Sequence, residues 1–184
     1  MKKILKTIIK KGNELSDKEL ILLAKETQRV FYGEGDFKKE LIRLKKERNS
    51  VFFLLRDGRK LLSFGFLRPT KIKHLERNYN VFGIRNIIAT EQNKGHGSLL
   101  MKEVIHFLEE NEKTGLGFTG SRVAKFYKKI GFTIRRGLRK RLFLNYGKKK
   151  EEFAHWGFYL EGKDKFISNI LKDKSKIDMP SKKW

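Results

Sequence analysis

The sequence contains no cysteine, which excludes disulfide staples and thiolate metal sites and suits a reducing, cytoplasmic setting. It has only two prolines, Pro69 and Pro180, so nearly all of it is free to enter helices and strands. No run of about 18 apolar residues occurs, so no transmembrane helix and no membrane partner are expected. Met1 to Lys11 carries lysines without the long apolar core of a secretory signal or anchor. The four histidines, His74, His96, His106 and His155, lack zinc-site spacing, and no metal is expected. A Gly-x-Ser-x-Gly elbow is missing too. Acids are scarce: 21 Asp+Glu stand against 44 Lys+Arg, a formal charge of +23. Such a surface attracts anions, unless the lysines merely keep it solvated.

What is present suffices for a core. The 184 residues are 39% hydrophobic and include 15 Phe, enough for one domain over residues 1–184. Lys3 to Lys10 reads as a first strand. Ser16-Asp17-Lys18-Glu19 has capping-box spacing and opens a helix that runs to about Phe31. Asp36 can cap a second helix, Phe37 to about Arg48. Val51 to Leu55 and Leu61 to Leu67 are apolar runs around Asp57-Gly58, a hairpin signal whose two central residues both need positive φ. Pro69 is expected to end the second of these strands, and Thr70 to Asn78 to form a polar loop. Val81 to Ala89 is a third strand, with Arg85 and Asn86 its strongly polar members.

Leu100, Val104, Phe107 and Leu108 then recur at helical spacing. A Gly-rich strand follows at Thr114 to Thr119, and Ser121 can cap a helix that Gly131 stops. Phe132 to Ile134, Arg141 to Asn145 and Phe153 to Leu160 read as later strands, and the tail from Gly162 to Trp184 as loosely ordered. The order β-α-α-β-β-β-α-β-α-β-β predicts an α+β, mixed α/β fold. Gly115 to Gly120 spells Gly-x-Gly-x-x-Gly, but a helix precedes it and Arg135 and Arg136 stand where an acid belongs, so a dinucleotide fold is set aside.

The segment richest in chemistry is Ile87 to Leu100, IIATEQNKGHGSLL. A strand ends, a two-glycine loop follows and a helix begins. The first N–H groups of a helix have no partner within it, the macrodipole adds positive charge there, and glycines let backbone approach a ligand. Together these suit a pyrophosphate, and Lys94 adds a formal charge. Taken alone, the same loop could be an ordinary tight turn.

Gln92-x-Lys94-Gly95-x-Gly97, with Ala124-Lys125-Phe126-Tyr127-Lys128-Lys129-Ile130-Gly131-Phe132 about thirty residues on, resembles the paired signatures of the GNAT superfamily of N-acetyltransferases. The resemblance is firm over Val81 to Phe132. It implies a twisted mixed sheet of about six to seven strands flanked by about four helices, with an acetyl-CoA-binding core over about 81–132 and a basic C-terminal region over 135–184. It further implies acetyl-CoA as donor and a small-molecule primary amine as acceptor, with a homodimer as a candidate assembly. Backbone of Gln92, Asn93, Lys94, Gly95, His96, Gly97 and Ser98 would hold the pyrophosphate. Ile87, Ile88 and Ala89 would hold the pantetheine arm, which Ser121 could touch. Tyr127 would protonate the leaving thiolate, although its place beside Val123, Phe126 and Ile130 also suits a core aromatic. Some members carry a Glu base on the long strand. Here Arg85 and Asn86 stand there, so Glu76, His74, Glu91 or water must serve.

A finer resemblance links Phe31 to Phe37, Leu116 to Ser121 and the end at Trp184 to aminoglycoside 2′-N-acetyltransferases. It implies Asp36 and the Trp184 carboxylate as substrate contacts. The +23 charge opposes a polycationic substrate, and Arg85 could instead pair with a substrate carboxylate or phosphate. Arg135 to Lys150 holds eight Lys/Arg and no acid, with Phe143 and Tyr146 interleaved. A basic nucleic-acid-binding protein on a GNAT-like scaffold is therefore a separate candidate.

Overall fold

The computed structural model describes residues 5–31, 37–142, 156–173, 175 and 177–178. Its elements are β1 (Leu5–Lys11), α1 (Asp17–Phe31), α2 (Phe37–Lys45), β2 (Val51–Asp57), β3 (Lys60–His74), β4 (Arg77–Ala89), α3 (His96–Glu110), β5 (Gly115–Thr119), α4 (Ser121–Lys129), β6 (Thr133–Arg136), α5 (Leu138–Leu142), β7 (Trp156–Leu160), α6 (Phe166–Lys172) and β8 (Ile177–Asp178). The chain forms two compact units: residues 1–68 with 84–104, and residues 69–83 with 105–184. The long elements β3, β4 and α3 contribute to both.

In the first unit β1 pairs antiparallel with β2, from Leu5 opposite Asp57 to Lys11 opposite Val51. β2 pairs antiparallel with β3, from Val51 opposite Leu67 to Asp57 opposite Lys60. β4 closes on β3 through Thr90 N–H to the Leu62 carbonyl, 2.9 Å, and the Ser63 hydroxyl to the Ile88 carbonyl, 2.8 Å. Side chains alternate across a strand, so Phe52, Leu54, Phe64 and Phe66 share one core cluster. Leu20, Leu23 and Ala24 of α1 and Leu44 of α2 pack into it. The capping box forms in both directions: Glu19 N–H donates to Ser16 Oγ at 3.2 Å and Ser16 N–H to Glu19 Oε2 at 3.0 Å. Ser16→Ala should therefore cost about 1 kcal/mol of stability, read from the urea midpoint; an unchanged midpoint would mean that water replaces the cap.

In the second unit β4 runs parallel to β5, with Phe82 opposite Gly115. β5 pairs antiparallel with β7, β7 with β6, and the end of β3 with β8. Gly117 is a packing glycine, since a Cβ there would lie 2.3 Å from Phe158 Cζ. The core joins Ile72, Tyr79, Val81, Leu116, Leu138, Leu142, Phe166, Ile167, Ile170 and Ile177.

Several sequence expectations are corrected. The hairpin loop is Gly58-Arg59, closed by Asp57 opposite Lys60, and of its two residues Gly58 alone has positive φ, +55°. Pro69 does not end β3, and most of Thr70 to Asn78 is strand. α2 stops at Lys45, Arg141 and Leu142 end a helix, and the tail contains α6. The described residues hold six helices and a mixed sheet, the α+β class expected from the sequence. No helix among them is long and apolar enough to cross a membrane.

Candidate active site

The loop joining β4 to α3 begins at a pinned strand end. Thr90 Oγ1 donates to the Leu61 and Leu62 carbonyls, both at 3.1 Å, and Arg29 Nη2 donates to the Thr90 carbonyl at 2.9 Å. Glu91 is ion-paired to Lys60. That pairing, aided by His96 and Lys94, holds the Glu91 carboxyl below the usual carboxylate range.

Beyond this anchor the backbone turns twice into the left-handed region, at Asn93 (φ +59°) and Gly95 (φ +76°). A Cβ on Gly95 would meet nothing within 4 Å. Gly95 thus opens onto free space, and its conformation rather than crowding demands glycine. The first bond of α3 is Leu99 N–H to the Gly95 carbonyl, 3.1 Å. The amides of His96, Gly97 and Ser98 precede it, where no helical carbonyl can take them. His96 Nδ1 is buried there without a hydrogen-bond partner. Alternating left-handed turns, helix-start amides and an orphaned ring nitrogen fit a phosphate-bearing group.

The other expected residues fall as follows. Ile88 of β4 is buried, and its carbonyl accepts from Ser63. Ile87 and Ala89 are half-buried. Arg85 and Asn86 precede them in the same unit, Asn86 at φ +50° in mid-strand. Ser121 and Tyr127 belong to the second unit. Ser121 is the first residue of α4, and the cap is Gly120, with no side-chain bond; the expected Ser cap is thereby corrected. Tyr127 is 7% exposed, stacks on Phe158 at 3.6 Å and meets Phe126 and Phe132 edge-on. Burial pushes its phenol pKa up. Asp36, Trp184, His155, Phe143 and Tyr146 lie outside the described residues.

Of the bases considered, His74 is 2% exposed and its Nε2 lies 3.1 Å from Ser175 Oγ. Glu76 is almost fully exposed near Lys73. Within the basic stretch, Arg135 and Arg136 are exposed on β6. Arg141 is not available to a partner, because it donates to the carbonyls of Ile170, Asp173 and Ser175 at 2.8, 2.5 and 2.8 Å. His106 pairs with Glu110 at 3.1 Å on the surface of α3. No group of His, Cys, Asp and Glu among the described residues could hold a metal.

One cluster escapes a reading of the sequence: Glu40, Arg43, Glu47 and Arg68. Its members come from α2, the turn that follows it and β3, and only the fold assembles them.

No family model matches the sequence, and no curated protein matches it significantly. The fold does have counterparts. An acyl-CoA N-acyltransferase from Pseudomonas aeruginosa is 19% identical, with 84% of this chain and 98% of that one aligned at a TM-score of 0.59. A protein from Desulfovibrio desulfuricans assigned to the GNAT acetyltransferase family is 11% identical, over 86% and 99%, at 0.60. NAA60 from Arabidopsis thaliana, solved with a bisubstrate analogue, is 12% identical, over 84% and 97%, at 0.57. The chain therefore has the GNAT fold.

Proposed function

We propose that the protein is an acyl-CoA-dependent N-acyltransferase, with acetyl-CoA as donor and a primary amine as acceptor. The observation that carries this reading is the β4–α3 loop, where Asn93 and Gly95 turn left-handed ahead of the first amides of α3, which have no acceptor within the helix. The shared fold supports it. Backbone of Gln92 to Ser98 would take the pyrophosphate, with Lys94 adding charge. Backbone of Ile87 to Ala89 would hold the pantetheine arm, and Ser121 would contact it.

When bound, acyl-CoA supplies an activated thioester carbonyl. The chain's own work is positioning that carbonyl for direct attack by an amine and moving protons. Tyr127 would donate one to the departing sulfur. None of the three side chains considered as base is suited to accept the amine proton. His74 is buried against Ser175, Glu76 stands in solvent, and Glu91 is held ionised by Lys60. The amine proton then leaves through water. An aminoglycoside acceptor draws no support from the described residues, since Asp36 and Trp184 lie outside them and the charge of +23 repels polycations.

Calorimetric titration with acetyl-CoA and free CoA tests the reading. Gly95→Glu/Gly97→Glu should weaken both ligands about tenfold or more, because it forces a side chain into the left-handed backbone and puts two carboxylates at the phosphates. Absence of binding to the unaltered protein would sink the proposal. A preference for a longer acyl chain would change the donor and leave the loop assignment standing.

A further inference from the structure

From Lys113 to Lys150 the chain holds 13 Lys/Arg and no Asp or Glu, so a fifth of its length carries more than half of the +23 charge. α4 and β6 of the second unit lie within this stretch. On α4 the buried residues are Ala124 and Tyr127. A helix turns about 100° per residue. Arg122, Lys125 and Lys129 therefore lie on the side opposite the buried pair, three cations along about 10 Å of helix axis. All three are exposed, as are Lys128 and, on β6, Arg135 and Arg136. None of these six forms an ion pair with an acid among the described residues.

The first unit treats its cations differently. There Glu19, Glu26, Glu40 and Glu47 pair with Lys10, Arg29, Arg43 and Arg68. A surface that is basic only on average would mix its cations with acids, as α1 and α2 do. α4 and β6 instead concentrate like charge where no acid stands nearby in sequence. Such a face attracts a polyanion, and each phosphate it neutralises releases counterions.

The fold adds an aromatic to this face. Arg136 lies directly opposite Trp156 of β7, and Ile134 opposite Phe158. Directly opposed residues share a face of the sheet, and so do residues two apart on a strand. Arg136 and Trp156 are therefore on the face where Tyr127 of α4 stacks on Phe158. On its other side Trp156 is opposite Thr119, which leads through Gly120 into α4. The half-buried Trp156 thus stands at the end of the sheet where α4 begins, with Arg136 beside it and Arg122 in the first turn of the helix. Cations with an adjoining aromatic suit a nucleotide chain, phosphates on the former and an unpaired base on the latter. They suit a bilayer less. A helix lying in a membrane surface needs its own apolar face, and that of α4 is packed on Phe158 and Phe132 through Tyr127.

We propose that the α4–β6 face docks single-stranded nucleic acid, a partner additional to the amine acceptor. The proposal does not rest on the acyltransferase reading, because the donor loop belongs to the first unit and this face to the second.

Fluorescence anisotropy with a labelled oligouridylate of about 12 nucleotides tests it on four proteins, each checked by a thermal melt. They are the unaltered chain, Arg122→Glu/Lys125→Glu/Lys129→Glu, Lys18→Glu/Lys25→Glu/Lys38→Glu and Gly95→Glu/Gly97→Glu. The second triple makes the same change in net charge at exposed positions of α1 and α2. The unaltered protein should bind, and less tightly as salt rises. The α4 triple should weaken binding about tenfold or more. It should also flatten the slope of log affinity against log salt by about 2, from three phosphate contacts at about 0.7 each. The α1–α2 triple and the loop variant should lose far less. Trp156→Leu should weaken the oligouridylate and spare a duplex of equal length. No binding by the unaltered protein overturns the proposal. Equal losses in the two triples overturn it too, since net charge alone would then explain the affinity. A loss as large in the loop variant would place the oligomer in the donor's phosphate cradle instead. Tighter binding to phosphatidylserine vesicles than to the oligouridylate would make the partner a membrane.

Discussion

Tyr127→Phe should lower turnover about a hundredfold or more and leave acetyl-CoA affinity and thermal stability near those of the unaltered protein. The ring of Tyr127 belongs to the core of the second unit, stacked on Phe158 and wedged against Phe126 and Phe132. Phenylalanine keeps all of those contacts, so a loss of rate with no loss of stability isolates the hydroxyl. Burial raises the phenol pKa, which keeps Tyr127 protonated and able to donate throughout the neutral range. No alkaline limb from Tyr127 should then appear in the pH–rate profile below about pH 10, the ordinary phenol value. The linkage has the same sign. A folded-state pKa raised above the unfolded one contributes stability that is complete below about pH 10 and fades as pH climbs through the raised value. An active, equally stable Tyr127→Phe enzyme would leave Tyr127 as a core aromatic, and the thiolate would then take its proton from water.

The sequence was legible where chemistry is local. The Ser16–Glu19 capping box, the β4–α3 loop and the stop at Gly131 each depend on a few consecutive residues. Their bonds, such as Phe132 N–H to the Tyr127 carbonyl at 3.1 Å, form as those residues imply. Pro69 misled because its cost depends on a neighbour. β2 pairs with β3 only as far as Leu67, so the missing N–H of exposed Pro69 takes no bond from that ladder, and the strand continues. The tail misled through its average. Lys163, Lys165 and Lys172 surround Phe166, Ile167 and Ile170, which are fully buried, and three anchors on one helix face outweigh a polar composition. The arginine cluster is the extreme case. Nothing within ten residues of Arg68 announces Glu47 as its partner, which lies 21 positions away.

Asp164→Ala should destabilise the second unit by about 3 kcal/mol, more than any single surface ion pair could. Asp164 sits just before α6 and serves three donors. Its Oδ1 accepts the Thr114 hydroxyl at 2.5 Å and Phe166 N–H at 3.0 Å, and its Oδ2 accepts Thr114 N–H at 3.3 Å. Thr114 is fully buried, and its Oγ1 in turn accepts Gly162 N–H at 2.9 Å. Alanine would strand these donors where water cannot reach all of them, at about 1–3 kcal/mol for each one left unpaired. It would also loosen the start of α6, whose Phe166, Ile167 and Ile170 fill the core of this unit. Asp164→Asn keeps one acceptor oxygen but turns an amide toward the Thr114 N–H, so about half of the loss should remain. Urea midpoints of the two variants decide the matter. A drop below about 1 kcal/mol for Asp164→Ala would show that apolar packing alone holds α6, and graded losses across Asp, Asn and Ala would show that the carboxylate bridge does.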